Sequence, residues 1–314
     1  MTGLEVVEAY LAARRALGVR LEREGRYLHQ FVREAGNAPL SDISPATVVR
    51  FLRGRGAPTW SWKVRAASLV GLYRYAIARG IVAVMPLPAH PPKLPPQQTP
   101  YIYSVVELQE LLEATAVLKN TVSHLRPLTY RTLLLLLYGS GLRVSEALAL
   151  RIGDVDLALQ LVTVKNTKFY KTRLVPIGTR LTQQLAAYLD RRRMLPMPEG
   201  EGSAFLSSRT GHGFCYSQVI RAFQRVRSTA GICCPPGELR PPRLHDLRHT
   251  AAVHRVVAWY RTDKDVQLLL PRLATYLGHV DLRSTQRYLQ MTPELLQEAS
   301  RRFAHYAGQE VPHA

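Results

Sequence analysis

A chain of 314 residues, 46% of them hydrophobic, is long enough to bury a sizeable core and to form about two domains. Its 42 Lys+Arg against 23 Asp+Glu leave a formal charge of +19, which points to a polyanionic partner, nucleic acid first. No apolar run reaches the roughly 18 residues of a membrane span, the opening MTGLEVVEAY does not read as a secretory signal, and the three cysteines (Cys215, Cys233, Cys234) show no Cys-x-x-Cys spacing, so a membrane protein, a disulfide framework and a zinc ribbon are set aside in favour of a reducing cytoplasm.

The positive charge is not confined to a tail. Residues 1–100 hold 14 basic and 6 acidic side chains, and the remainder is also net positive, so both halves are expected to touch the polyanion. In chain order, apolar residues at helical spacing predict helices over 6–17 and 21–32. Ser44-Pro45 reads as an N-cap followed by proline at the first helical position, leading into 46–52. A further amphipathic stretch over 62–78 ends at Gly80 and carries Lys63, Arg65, Arg74 and Arg79. Together these form a small helical domain, 1–85, whose basic face suits DNA clamping and equally suits a generic solvated bundle. Residues 86–100, PLPAHPPKLPPQQTP, contain seven prolines, which forbids a helix and marks a semi-rigid linker.

Beyond the linker, 101–314 forms a second domain. Ser104-x-x-Glu107 is a capping box opening a helix to about 114. An apolar helix over 127–138 is expected to stop at Gly139-Ser140-Gly141, with a short helix over 145–150 after it. The period then changes: 161–165 and 172–177 alternate and are β-branched, so they read as a hairpin. Helices resume over 181–193, 217–230, 246–260, 268–277 and 293–306, the last with Thr292 as N-cap and Pro293 behind it. The fold class is therefore mostly α with a small antiparallel β-sheet, in two domains.

Cutting a phosphodiester takes a nucleophile, cations or donors on the non-bridging oxygens, an acid for the leaving oxygen and a manager for the nucleophile's proton. Four clusters supply such groups. Arg143 follows a glycine turn just before a helix start, with Glu146 three residues on to orient it. The hairpin tip, Lys165 to Arg173, offers lysines that can reach into a groove. His245 and Arg248 lie three apart at a helix start and project to one side, where a helix N-terminus also favours phosphate. His245 and His249 have zinc spacing, but the second position of that motif is Asp246 rather than the Glu a metalloprotease needs. The fourth cluster is Tyr276-Leu277-Gly278-His279, followed nine residues later by Tyr288.

Arg, hairpin Lys, His-x-x-Arg, Gly-His and Tyr, in that order, resemble the tyrosine recombinase (phage integrase) family. The strings GLRVSEALALRIGDVDL, TKFYKTRLVPI, LHDLRHTAAVH and YLGHVDLRSTQRYL carry the resemblance over roughly 101–306, and they look most like Xer-type and mobile-element integrases. It implies a helical core-binding domain followed by an α/β catalytic domain. It implies that Arg143 and Arg248 clamp the scissile phosphate and that Lys168, with Lys171 as the second choice, protonates the leaving 5′-oxygen. His245 would help manage the tyrosine proton, His279 would be a further phosphate donor, Tyr288 would form a 3′-phosphotyrosyl link, and Glu146 would support the arginines. Lys63, Arg65, Arg74, Lys171 and Arg173 are the expected DNA contacts. Neither metal nor cofactor is implied; the implied partners are double-stranded DNA, accessory DNA-bending proteins, and three further copies of the chain docked through the last helix, whose Leu295, Leu296, Ala299 and Phe303 share a face. The implied setting is a mobile element acting at the bacterial nucleoid.

Two departures from Xer proteins stand out: the hairpin lacks their glycine-rich turn, and the span from Arg248 to His279 is longer, with an extra stretch around 258–270. Two other functions remain open on sequence: a type IB topoisomerase, which shares the catalytic set, and a catalytically idle DNA-binding regulator, against which the presence of all six candidate residues speaks.

Overall fold

The computed structural model of the chain describes residues 1–314 apart from 20, 96–98, 120–124, 166–171, 239, 263, 279–284, 286–296, 299 and 302–314. It divides into two compact units, Met1–Gln98 and Thr99–Ala314.

Among its described residues the first unit contains four α-helices: α1 (Gly3–Ala16), α2 (Glu22–Glu34), α3 (Pro45–Arg53) and α4 (Trp60–Ile77). Helix α1 starts three residues before the apolar pattern does, because Thr2 and Glu5 form a capping box there: Glu5 N donates to Thr2 Oγ1 at 3.3 Å and Thr2 N to Glu5 Oε2 at 2.9 Å. Helix α3 begins as its sequence predicts, with Ser44 Oγ accepting from Thr47 N and Pro45 in the first turn. Val6, Leu11, Leu28, Phe31, Leu69 and Leu72 are fully buried between these helices, and the Phe31 and Phe51 rings lie 5.0 Å apart.

Of the expected basic face, Lys63 and Arg74 are exposed, and Lys63 Nζ sits 4.5 Å from the Trp60 ring centre. Arg65 departs from the expectation. Its guanidinium lies 5.4 Å from the rings of both Tyr27 and Phe51, and its Nη1 donates to Phe51 O at 3.0 Å, closing the end of α3. A flat, weakly hydrated cation that can stack and donate at once is suited to that place. Gly54 leaves room for it: φ there is +64°, and a Cβ would collide with the guanidinium. The proline-rich stretch is not wholly a free connector either. Met85 and Leu87 pack against the first unit's core, and Pro95 O accepts from Trp60 Nε1 at 3.2 Å.

The second unit is built around α6 (Leu125–Ser140), whose Leu133, Leu134, Leu136 and Leu137 are all buried. It packs against α8 (Thr179–Arg193) and α10 (Asp246–Arg261). Helix α5 (Val105–Ala114) opens with the predicted box: Ser104 N donates to Glu107 Oε2 at 2.7 Å and Glu107 N to Ser104 Oγ at 3.2 Å. Helix α6 ends at Ser140, within the predicted Gly139-Ser140-Gly141 stop. A Cβ at Gly139 would lie 2.9 Å from Leu181 Cδ2, so the first glycine of that triplet also lets α8 approach. The turn comes at Gly141, with φ of +62°, and α7 (Val144–Ala149) follows.

Three antiparallel strands follow in the order β1 (Val155–Asp156), β2 (Leu161–Val164) and β3 (Arg173–Pro176). Val162 pairs with Val175 and Val164 with Arg173, and the buried Val162, Val164 and Val175 turn one face of the hairpin to the core. Strand β1, two residues long, is too short to leave a period in the sequence. The tip, 166–171, with Lys168 and Lys171, lies outside the described residues.

Helices α9 (Tyr216–Thr229), α10 and α11 (Val266–Leu277) follow. The described residues of the extra stretch form the end of α10 and the start of α11, which Asp265 caps (its Oδ1 accepts from Leu268 N at 3.1 Å). It lengthens an apolar seam of Val253, Val256 and Val257 against Val266, Leu270 and Leu273. Of the expected final helix over 293–306, only 297, 298, 300 and 301 are described, all helical, with Glu298 paired to Arg261 at 3.1 Å; Leu295, Leu296, Ala299 and Phe303 lie outside the described residues.

Candidate active site

The two arginines singled out in the sequence converge. Arg143 stands at the N-cap of α7, where Gly141 has just turned the chain. Its Nη1 donates to Glu146 Oε1 at 2.7 Å and its Nη2 to the carbonyl of Gly278 at 3.1 Å. Arg248 comes from the first turn of α10. Its Nη1 donates to Gly141 O and its Nη2 to Leu277 O, both at 2.6 Å. Two guanidiniums from distant parts of the chain thus bond the carbonyls of consecutive residues, 277 and 278, which lie one Cα step of about 3.8 Å apart. Arg143 keeps 36% of its side chain open to solvent, whereas Arg248 is 2% exposed.

Both glycines beside these arginines are required. At Gly141 a Cβ would meet Leu277 Cδ2 at 2.6 Å, and Gly278 ends α11 in the left-handed region with φ of +70°. The turn at Gly141 and the end of α11 at Leu277-Gly278 are therefore pressed together, with a carbonyl from each presented to Arg248.

Glu146 is shared. Its backbone-facing oxygen accepts from Arg143 N at 2.9 Å, and both its oxygens take a bidentate grip from Arg173 of β3, at 3.1 and 2.8 Å. Burial by itself pushes this carboxyl up, but the hydrogen bonds and charges of Arg173 and Arg143 outweigh it and hold it at about 2. Arg173 was expected among the DNA contacts. It is 15% exposed with both Nη atoms on Glu146, and its guanidinium fills the place where a Cβ of residue 278 would be. No local pattern announces this pairing, because residues 146 and 173 meet only through the fold of the sheet onto α7.

His245 precedes α10, half-buried, with its ring 5.1 Å from that of His249 in a T-shaped arrangement. Burial, then the nearby Arg248 guanidinium, lowers its pKa below the ordinary histidine value, which keeps the imidazole neutral and able to accept a proton near pH 7. The helix start that carries it is braced. Asp246 accepts from Arg243 N and Arg243 Nη2, each at 2.8 Å, and Tyr103 at the head of the unit receives no side-chain freedom: its N donates to Thr250 Oγ1 at 3.1 Å and its hydroxyl to Arg243 O at 3.1 Å. Lys168, Lys171, His279 and Tyr288 lie outside the described residues. Gly278 and Leu277, the residues directly before His279, border the arginine pair. Among the described residues no group of three or more His, Cys, Asp or Glu is placed to hold a metal ion, and no helix is long and apolar enough to cross a membrane.

The phage integrase family matches residues 105–294. A putative integrase/recombinase of Sinorhizobium fredii, y4rB, is 34% identical, with 95% of this chain and 96% of that protein covered. Tyrosine recombinase XerD of Mycobacterium tuberculosis is 31% identical, with 88% and 87% covered. Among solved structures, a lambda integrase tetramer bound to a Holliday junction superposes with a TM-score of 0.66 at 18% identity, over 92% of this chain and 77% of that one. XerH bound to palindromic difH in a post-cleavage complex gives 0.63 at 19% identity, over 88% and 77%.

Proposed function

The chain belongs to the phage integrase family, the tyrosine recombinases, and from that premise we propose that it cuts and rejoins double-stranded DNA at specific sites through a covalent link to Tyr288. The observation that carries the reading is the convergence of Arg143 and Arg248 on the adjacent carbonyls of Leu277 and Gly278. A phosphate at that point meets two cations and a helix start in a partly water-excluded setting, where such charges act most strongly on the build-up of charge in the transition state.

In this reading the Tyr288 oxygen attacks phosphorus as the bond to the 5′-oxygen breaks. The tyrosine proton leaves toward the neutral His245, Lys168 or failing it Lys171 delivers a proton to the departing oxygen, and His279 adds a donor to the phosphate. One phosphoester forms for each one broken, so rejoining needs no ATP. Arginines, lysine and histidines carry the charge stabilisation that a metal gives other nucleases. Cleavage is accordingly expected to proceed at an unchanged rate in excess EDTA; loss of activity that Mg²⁺ restores overturns this part of the mechanism.

The first unit, with Lys63 and Arg74 exposed on α4, serves as the second arm of the grip on the duplex, in keeping with the net positive charge of residues 1–100. The chain works as a tetramer on DNA through its last helix. The apolar Leu295, Leu296 and Phe303, beside the acidic Glu294, suit a cavity of about 410 Å³ lined by Trp259, Leu273 and Tyr276 with Arg255 and Arg272 at its walls. Ending the chain after Thr292 is expected to leave single-site band shifts in place while eliminating the slower multimeric complex and strand exchange. Retention of full strand exchange by the shortened chain excludes that assembly role. Accessory DNA-bending proteins and a place at the nucleoid follow from the same reading.

A nicked suicide duplex made from the flanks of the chain's own gene tests the whole. The expected result is a protein–DNA adduct at Tyr288 together with strand exchange between two site-bearing duplexes. Relaxation of supercoils without strand exchange indicates a topoisomerase, and binding without any adduct an idle regulator.

A further inference from the structure

We propose that Arg173 is a positioning residue for DNA cleavage, tying the base of the β2–β3 hairpin to the Arg143 cluster so that the hairpin lysine reaches the leaving oxygen. The inference rests on the recombinase reading above and extends it to a residue outside the phosphate clamp.

The hairpin is pinned on both sides just below its tip. On the β2 side Lys165 Nζ pairs with the buried Asp154 Oδ1 at 2.6 Å. On the β3 side Arg173, the partner of Val164 across the ladder, holds both oxygens of Glu146. Glu146 in turn holds Arg143 by its side chain and its backbone N. The same Arg173 guanidinium packs where Gly278 has no side chain, and the Gly278 carbonyl accepts from Arg143. Four groups from three segments thus close a ring: Arg173 of β3, Glu146 and Arg143 at the start of α7, and Gly278 at the end of α11.

The ring assigns the burden of losing Arg173. Without it Arg143 keeps its bonds to Glu146 and to Gly278 O, so the phosphate clamp stays in place. The hairpin keeps only its Lys165 pair, and the lysine at its tip loses a fixed origin. A misplacement of about 1 Å in a reacting group costs about 10²-fold in rate. A lysine at 173 has one ammonium and cannot hold two carboxylate oxygens in a plane as a guanidinium does, so the arginine is required rather than any cation.

The test uses the full chain and a nicked suicide duplex in single-turnover cleavage at saturating protein, alongside band shifts over a salt series. Arg173→Ala is expected to cleave about 10²-fold more slowly while keeping the wild-type affinity and the wild-type dependence of affinity on salt; a direct phosphate contact would instead reduce that slope by about 1. Arg173→Lys is expected to fall between the two, which keeps the test open if the alanine variant folds poorly. A duplex with sulfur in place of the bridging 5′-oxygen supplies the sharper readout, because a thiolate leaves without being protonated. It is expected to restore most of the Arg173→Ala rate and little of an Arg143→Ala rate. The proposal is overturned if Arg173→Ala and Arg173→Lys cleave the ordinary duplex at the wild-type rate, if the salt slope drops while the saturated rate holds, or if the sulfur duplex leaves the defect untouched. A wild-type chain that forms no adduct at all fails the recombinase reading instead, so the two failures are told apart.

Discussion

Tyr288→Phe is expected to abolish the covalent protein–DNA adduct completely while leaving the band shift with double-stranded DNA in place. Removing one oxygen takes away the proposed nucleophile and leaves every described bond of Arg143 and Arg248, to Glu146, Gly278, Gly141 and Leu277, in place. Water is a poor substitute in a site arranged for an in-line attack by a tethered group, so no slower hydrolysis replaces the lost step. The measurement is a denaturing gel of the suicide-duplex reaction, in which the wild-type chain shifts the labelled strand and the variant does not. An adduct that persists in the phenylalanine variant moves the nucleophile to another side chain.

Arg248→Ala is expected to cost at least ~10²-fold in cleavage, the usual price of removing one donor from a site that stabilises developing negative charge. It carries a second cost that Arg143→Ala does not. Arg248 is 2% exposed and its two Nη atoms hold the carbonyls of Gly141 and Leu277 together. Truncation leaves both carbonyls short of a donor in the interior, at about 1–3 kcal/mol for each group left unsatisfied. Arg143, 36% exposed, leaves behind Glu146 still held by Arg173 and a Gly278 carbonyl that water can reach. The pair of variants therefore separates in a way a single rate does not: Arg143→Ala loses cleavage with a nearly unchanged melting temperature, whereas Arg248→Ala loses cleavage and melts several degrees lower, at about 2–4 °C for each kcal/mol in a unit of this size. Thermal melts beside single-turnover rates decide it. Arg248→Ala cleaving at the wild-type rate removes the clamp from the mechanism.

Much of the fold was legible because its signals are local. The caps at Ser44 and Ser104 involve atoms three residues apart, and each opens the helix that its pattern announces. The hairpin showed in its alternation, since Val162, Val164 and Val175 face one core. The Gly139-Ser140-Gly141 stop was legible too, but not the second role of Gly139, because the contact with Leu181 comes from another helix. Arg65 was read as part of an open basic face because its partners, Tyr27 and Phe51, come from two other helices. Arg173 shows the same limit at the site itself, where the bond to Glu146 joins a strand to a helix start.

The sequence alone determined the kinds of groups and their order: arginine after a glycine turn, lysines between two strands, histidine and arginine one helical turn apart, then Gly-His and a tyrosine. Those are properties of covalent neighbours, so they are present before the chain folds. Only the tertiary structure decided which arginines converge, which one braces Glu146, and which one is held inside the protein. That choice depends on burial and on carboxylates and carbonyls brought within about 3 Å from remote segments, distances that no spacing along the chain encodes.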